Sequence, residues 1–211
     1  MFVQEYRGAS RKPEIIEIIG MPATGKSTYT RKFIASSPRT AVDVNSLLPA
    51  SHFWRQMLKV HAALSMLFRH PGRTVRDFGI ICRSKQKTLR DCLFVCTNWA
   101  LVQWQTEVIC AKKETDYVFD QGILQAVWSI ALNAGQSNGL LTLLRHESLL
   151  PSYVVFLDEA DEVLAGREKN REYRIRLQYH DINQVLSARK ALQTVLTYVE
   201  KHYEAAGGKN A

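Results

Sequence analysis

The sequence predicts an α/β fold of three layers, with helices on both faces of a mostly parallel sheet of four or five strands. Two observations indicate this class. Short apolar or β-branched runs recur along the chain, as expected for strands buried on both faces, and stretches of helical periodicity separate them. Residues 45–112 separate the second run from the third and are far more than a crossover helix needs, so we also expect a large helical insertion.

Strands and helices alternate in this prediction. The predicted strands are Ile15–Ile19, Thr40–Val44, Asp116–Asp120 and Tyr153–Leu157. The predicted helices are Thr28–Ala35, His52–Arg69, Gln86–Lys112, Ile123–Ala134 and Asp181–Ala206. We expect the helix His52–Arg69 to be mostly buried and the segment Met1–Glu14 to be a solvated tail. A strand over Thr194–Val199 is an alternative to helix there.

Length and charge limit the classes of protein. The 211 residues suit a single domain over 1–211, and the net charge of +8 favours polyanionic partners without implying nucleic acid, which we disfavour. No run approaches the roughly 20 apolar residues of a membrane span, and the polar N-terminal segment is no secretory signal. We expect a cytoplasmic protein with no membrane partner. The sequence leaves the oligomeric state open.

Four cysteines fall in one predicted helical region. They are Cys82, Cys92, Cys96 and Cys110. Their spacing lacks the paired C-x-x-C pattern of a zinc site, and we interpret them as buried reduced thiols in preference to metal ligands or disulfides.

The first predicted strand leads into Gly20–Ser27, which reads Gly-Met-Pro-Ala-Thr-Gly-Lys-Ser and fits the P-loop pattern G-x-x-x-x-G-K-[ST]. Glycines at both ends permit a turn whose N–H groups surround a phosphate, and the following helix adds a favourable dipole. Lys26 is expected to reach the β- and γ-phosphates of ATP, and the Ser27 hydroxyl to bind Mg²⁺. The whole predicted phosphate-binding segment is Gly20, Met21, Pro22, Ala23, Thr24, Gly25, Lys26, Ser27 and Thr28.

Two aspartates lie at or near the carboxyl ends of predicted strands, at the edge of an open parallel sheet where ligands bind. Asp120 fits a Walker B residue, which would hold Mg²⁺ together with Ser27; an ordinary capping aspartate is the alternative. Asp43 would bind or deprotonate a substrate hydroxyl, and a helix-capping role explains it equally well.

Three arginines follow the fourth predicted strand. Arg167, Arg171 and Arg174 are spaced so that a helix would set them on one face, where they suit a triphosphate. The alternative is a solvated helix whose arginines pair with Glu168 and Glu172.

These elements resemble the P-loop kinases of the nucleoside and nucleotide kinase superfamily, the thymidylate-kinase-like branch in particular. The resemblance rests on Gly20–Ser27, on Asp120-Gln121-Gly122 and on the strand before Arg167. It implies that residues 166–176 form a lid whose arginines close over ATP, and that Asp120 serves as metal partner or base. The expected protein is an ATP- and Mg²⁺-dependent kinase with a small-molecule phosphoryl acceptor under the helical insertion.

A competing similarity lies in Val155–Asp161, whose letters resemble the second motif of DEAD-box helicases. It implies an ATPase or nucleotide switch that acts on a macromolecular partner, with Asp158 and Glu159 as the Walker B pair. Too little chain follows for the second domain of a helicase, so a compact ATPase is the form this alternative takes.

Overall fold

A computed structural model describes residues 2–7, 14–37, 39–109, 115–136, 139–169 and 182–207. Within these ranges the strands are β1 (Phe2–Arg7), β2 (Ile15–Gly20), β3 (Ala41–Asp43), β4 (Asp116–Phe119) and β5 (Tyr153–Asp158). The α-helices are α1 (Lys26–Ser36), α2 (His52–Arg69), α3 (Pro71–Arg83), α4 (Leu89–Trp104), α5 (Ile123–Leu132), α6 (Asp161–Lys169) and α7 (Ile182–Gly207). None of these helices combines the length and apolarity needed to span a bilayer.

The strands form one sheet in the order β1-β5-β2-β4-β3. Strand β2 is parallel to both of its neighbours, β4 and β5, and β3 is parallel to β4. Strand β1 is antiparallel to β5 and closes one edge. Since the carboxyl ends of β2, β3 and β4 meet at one edge, the segments that follow them lie side by side.

Helices cover both faces of the sheet. On one face Ile18 of β2 belongs to an apolar cluster against which Phe33 of α1 packs. On the other face Ile19 lies in a larger core with Trp128 of α5 and Val195 of α7. The predicted three-layer α/β fold with a mostly parallel sheet is therefore confirmed.

The prediction of a solvated N-terminal tail is wrong for residues 2–7. Phe2 pairs with Asp158 and Arg7 with Tyr153, and the Tyr6 hydroxyl donates a hydrogen bond of 2.8 Å to Glu200 Oε1 on α7. The residues of β1 are exposed or half-buried, so the segment carries little of the apolar signal by which strands are predicted and its sequence looks like that of a polar tail.

Helix α2 differs from its prediction in burial, although its bounds agree. Only Ala62 and Met66 among its apolar residues are buried, while the side chains of Phe53 and Phe68 are 63% and 83% exposed. The exposed large apolar residues of α2 are Phe53, Trp54, Met57, Val60, Leu64, Leu67 and Phe68. The helix packs on α4 along one narrow side, and its apolar residues extend beyond that side.

The predicted helix Gln86–Lys112 and the segment before it also differ from the prediction. The helix begins at Leu89, and after Trp104 its hydrogen bonding changes to a π-helical turn over Gln105–Ile109. The segment between the predicted helices His52–Arg69 and Gln86–Lys112 contains a further helix, α3, which was not among the predicted elements. The segment Thr194–Val199 lies inside α7, so helix is the correct alternative there.

The prediction that the cysteines are buried holds for Cys96 alone among the described ones. Cys82 is exposed and Cys92 is half-buried, because α3 ends and α4 begins near the surface. Cys110 lies outside the described residues.

Candidate functional site

The loop between β2 and α1 has the backbone that a phosphate-binding turn requires. Gly25 has a φ of 88°, in the left-handed region that glycine adopts without a steric penalty, and Ala23 has a φ of 67°. The Thr24 hydroxyl donates a hydrogen bond of 2.8 Å to the Met21 carbonyl across the turn. Helix α1 starts directly afterwards, at Lys26, so its amino end faces the loop.

The Lys26 ammonium group lies against this loop. Its Nζ donates hydrogen bonds to the carbonyl oxygens of Gly20, at 2.6 Å, and of Met21, at 2.9 Å. The positive charge is thus held beside the leading N–H groups of α1, which as in any helix have no acceptor within the helix itself. Together they form a region of positive potential suited to an anion.

Asp120, directly after β4, faces the P-loop serine. The Ser27 hydroxyl donates a hydrogen bond of 3.3 Å to Asp120 Oδ2, and the Asn45 side-chain amide donates another to Asp120 Oδ1. Burial, and secondarily the negative charge of Asp43, raises the pKa of Asp120, while Asn45, Lys26 and Ser27 oppose the rise. The fold therefore brings a hydroxyl and a carboxylate together at the edge of the sheet.

Asp43 makes the hydrogen bond of a capping residue. The Asn45 N–H donates to Asp43 Oδ1 at 2.9 Å, and the Ser46 hydroxyl donates to the Asp43 carbonyl at 2.6 Å. These bonds close the 3₁₀ turn Val44–Leu47 that follows β3. Its carboxylate still acts on Asp120 through space. A role of Asp43 toward substrate stays a proposal.

A cavity of about 740 Å³ opens beside the loop, and Lys26, Ser27 and Asp120 are among its lining residues. Helices α2, α4 and α5 supply most of the remaining wall, including Arg55, Lys59, Phe94, Asn98 and Gln125. The Lys59 ammonium lies over the Phe94 ring, 4.6 Å from its centre. Positive charge, side-chain amides and an aromatic ring thus surround a space large enough for a small molecule.

Asp158 and Glu159 lie in a different environment. Arg189 of α7 donates from Nη1 to both oxygens of Asp158, at 2.6 and 2.7 Å, and from Nη2 to Asp161 Oδ1 at 2.6 Å. Its Nη2 also donates to the Glu159 carbonyl at 2.7 Å. The arginine joins the end of β5 to α7, and the Asp158 carboxylate is occupied by an ion pair.

Comparison with known proteins adds little at the level of sequence. No protein-family model and no curated protein matches the chain. Among solved structures, a thymidylate kinase from Candida albicans is similar, with a TM-score of 0.47 and 14% sequence identity over 88% of this chain and 79% of that one. The fold assignment above rests on the sheet order and the helices, not on this similarity.

The structure describes only one of the three predicted lid arginines. Arg167 belongs to helix α6, whereas Arg171 and Arg174 lie outside the described residues. A lid over 166–176 therefore stays a prediction.

Sequence reasoning missed a buried carboxylate beneath the site. Glu17 of β2 accepts hydrogen bonds from the N–H groups of Leu124, at 3.1 Å, and Gln125, at 2.8 Å, at the start of α5. Burial raises the pKa of Glu17 from 4.5 to about 7, although backbone hydrogen bonds oppose the rise. One feature of the sequence could have indicated this buried carboxylate: Glu17 is the single acid within the apolar run Ile15–Ile19.

Asn45 was also missed. Its side-chain amide donates a hydrogen bond to Asp120, which lies 75 residues further along the chain. No local sequence pattern predicts a contact between residues so far apart. Its position two residues after Asp43, at the end of a predicted strand, was the one available hint.

Proposed function

We propose that the protein is a Mg²⁺-dependent kinase that transfers the γ-phosphoryl group of ATP to a hydroxyl or phosphate of a small molecule held in the cavity. The observation that carries the proposal is the 3.3 Å hydrogen bond from Ser27 Oγ to Asp120 Oδ2. It joins the end of the P-loop to the end of the adjacent strand, in the wall of a cavity that α2, α4 and α5 enclose.

The donor set at this place fits Mg²⁺. A serine hydroxyl and a carboxylate are hard oxygen ligands, and this cation binds proteins through few such groups while it keeps waters and phosphate oxygens. Ser27 and Asp120 would hold the ion. When bound, Mg²⁺ neutralises the charge that develops on the β- and γ-phosphates.

The chain's own residues would do the positioning. Lys26, now bonded to the carbonyls of Gly20 and Met21, would turn its ammonium to the phosphates, and the leading N–H groups of α1 would bind their oxygens. Asp120 or Asp43 would orient or deprotonate the acceptor. Arg167, Arg171 and Arg174 would clamp the transferring group, as the resemblance implies.

Arg55 and Lys59 favour an acceptor that carries negative charge or many hydroxyl oxygens. Both line the cavity on α2, and Asn98 of α4 adds a side-chain amide that both donates and accepts hydrogen bonds. Helices α2 and α4 thus form the proposed acceptor side, and the loop forms the nucleotide side.

An ATPase with Asp158 and Glu159 as its Walker B pair has less support. Arg189 already binds both oxygens of Asp158, whereas Asp120 faces the P-loop serine. The carboxylate that a metal beside Ser27 would meet is therefore that of Asp120.

The test is ATP consumption by the purified protein with Mg²⁺, alone and with pools of nucleosides, nucleotides, sugars and amino alcohols. We expect ADP with one pool only, together with an acceptor whose mass has gained one phosphoryl group. Steady release of ADP and free phosphate without any acceptor would replace the kinase by the ATPase.

A further inference from the structure

Three cysteine side chains meet where α3 ends and α4 begins. Cys82 lies in the last turn of α3, while Cys92 and Cys96 are four residues apart on α4 and so share one face of that helix. The three sulfur atoms all lie within 4.8 Å of one another, and Cys82 Sγ is 3.4 Å from Cys92 Sγ. The group is built from two helices, and none of the three cysteines lines the cavity beside the P-loop.

We propose that these three thiols bind a thiophilic divalent cation, with zinc as the favoured ion, and that this cation joins α3 to α4. Thiolates around zinc sit about 2.3 Å from the metal, so in a tetrahedral site they are about 3.8 Å apart. The separation of 3.4 Å between Cys82 and Cys92, and the upper limit of 4.8 Å on the two separations that involve Cys96, lie on either side of that value.

The third sulfur atom favours a metal over a disulfide. A disulfide between Cys82 and Cys92 would use two sulfurs and leave Cys96 without a function in the cluster. A metal uses all three. Within the described part of the chain the group has three donors, so the fourth position of a tetrahedral site would belong to water or another small ligand. Cys82 is exposed, and solvent can reach it.

The charges around the cluster are compatible with bound zinc. Three thiolates and Zn²⁺ together carry one negative charge. The chain between Cys82 and Cys92 carries one acid, Asp91, and four bases that offset this charge: Arg83, Lys85, Lys87 and Arg90. Three Zn–S bonds form, three thiol protons leave to solvent, and no atom changes its oxidation state.

The proposed site bears on the cavity through α4. Phe94 and Val95, which lie between Cys92 and Cys96, line the cavity, and Asn98 follows one turn later. A metal bridge to α3 would hold this part of the wall in place. The site does not depend on the kinase proposal, because its geometry involves neither the P-loop nor Asp120.

Cobalt(II) is the probe for the test, since its thiolate complexes absorb through sulfur-to-metal charge transfer. We expect the fully reduced protein to show this band with one cobalt ion per chain, and zinc to displace it. Zinc should also raise the unfolding temperature of the wild type. Cys82→Ser and Cys92→Ser should each lose the band and the zinc-induced shift.

The matched control is Thr88→Ala. It removes the hydroxyl that accepts from the Asp91 N–H at 3.0 Å and caps α4, and it leaves all three thiols in place. It should loosen the helix and keep the band. Since Cys82 is exposed, its serine variant is expected to fold, which circular dichroism checks. No band in the reduced wild type, or an undiminished band in Cys82→Ser, would overturn the proposal, as would reversible oxidation of two thiols without metal uptake.

Discussion

Lys26 is the residue whose loss we expect to affect turnover most. Its ammonium lies against the carbonyls of Gly20 and Met21, within the loop that would bind the phosphates of a nucleotide. Because positioning and electrostatics supply most of the catalysis in phosphoryl transfer, Lys26→Ala should lower ATP turnover by several orders of magnitude. Lys32→Ala, which removes an exposed positive charge from the same helix, is the control and should change it little. Near-normal turnover in Lys26→Ala would contradict the P-loop assignment.

Two acids distinguish the kinase from the ATPase. Asp120 accepts from Ser27, whereas the backbone of Glu159 is held by Arg189 at the end of β5. Asp120→Asn should abolish Mg²⁺-dependent turnover, because the metal loses its carboxylate, and Glu159→Gln should have a mild effect. Both are measured as ADP release against Mg²⁺ concentration. The opposite pattern would favour Glu159 as the catalytic acid of an ATPase.

At the scale of secondary structure, the junction of β2 and α5 depends on a glycine. A Cβ added at Gly122 would lie 2.4 Å from Glu17 Cδ, with both groups held in the core. Gly122→Ala should therefore lower the free energy of unfolding by about 1–3 kcal/mol, as other overpacked cores do. Urea denaturation measures the change.

Gly72 offers the contrast to that variant. It lies in α3, and a Cβ there would meet nothing within 4 Å. Gly72→Ala should be neutral or should stabilise the protein by up to about 1 kcal/mol, because alanine favours the helix. Equal losses of stability in the two glycine variants would argue against the steric explanation.

The sequence predicts elements well where the signal is local. The β2-loop-α1 unit follows from the P-loop pattern and its flanks, and β4 and β5 follow from short apolar runs. Strand β1 was missed because its residues are exposed or half-buried and carry little apolar signal, and only its pairing with β5, some 150 residues away, identifies it as a strand. A local pattern cannot show which distant edge remains to be paired.

The same distinction applies to the candidate site. Lys26 and Ser27 could be assigned a role from the motif, because the spacing itself encodes the chemistry. Glu17, Asn45 and Arg189 act through contacts that only the folded chain creates. Glutamate, asparagine and arginine occur at many positions in proteins without a special role, so the sequence alone assigns none to these three residues.

For the molecule as a whole, Glu17 should make stability depend on pH. Its pKa is about 7 in the folded protein and 4.5 as an ordinary glutamate, so the folded state binds the proton more tightly. The stabilisation is complete below about pH 4.5 and is lost as pH rises to about 7, with a decrease of up to about 3 kcal/mol in the free energy of unfolding. Urea denaturation at a series of pH values measures it.

Glu17→Gln should flatten this part of the profile, since an amide does not titrate. Glu162→Gln replaces an exposed carboxylate and should leave the slope unchanged. Only the difference between each variant and the wild type is compared, because other groups also titrate over this range. An unchanged slope in Glu17→Gln would assign the pH dependence to those groups.

The pairing of Phe2 with Asp158 also has a consequence for synthesis. Strand β1 leaves the ribosome some 150 residues before its partner, a delay of roughly 8–30 s at ordinary rates of translation. Strand β2, which carries the P-loop, pairs with the same late strand. The nascent chain therefore carries two incompletely paired strands throughout this interval, and the P-loop gains its full support only when β5 emerges.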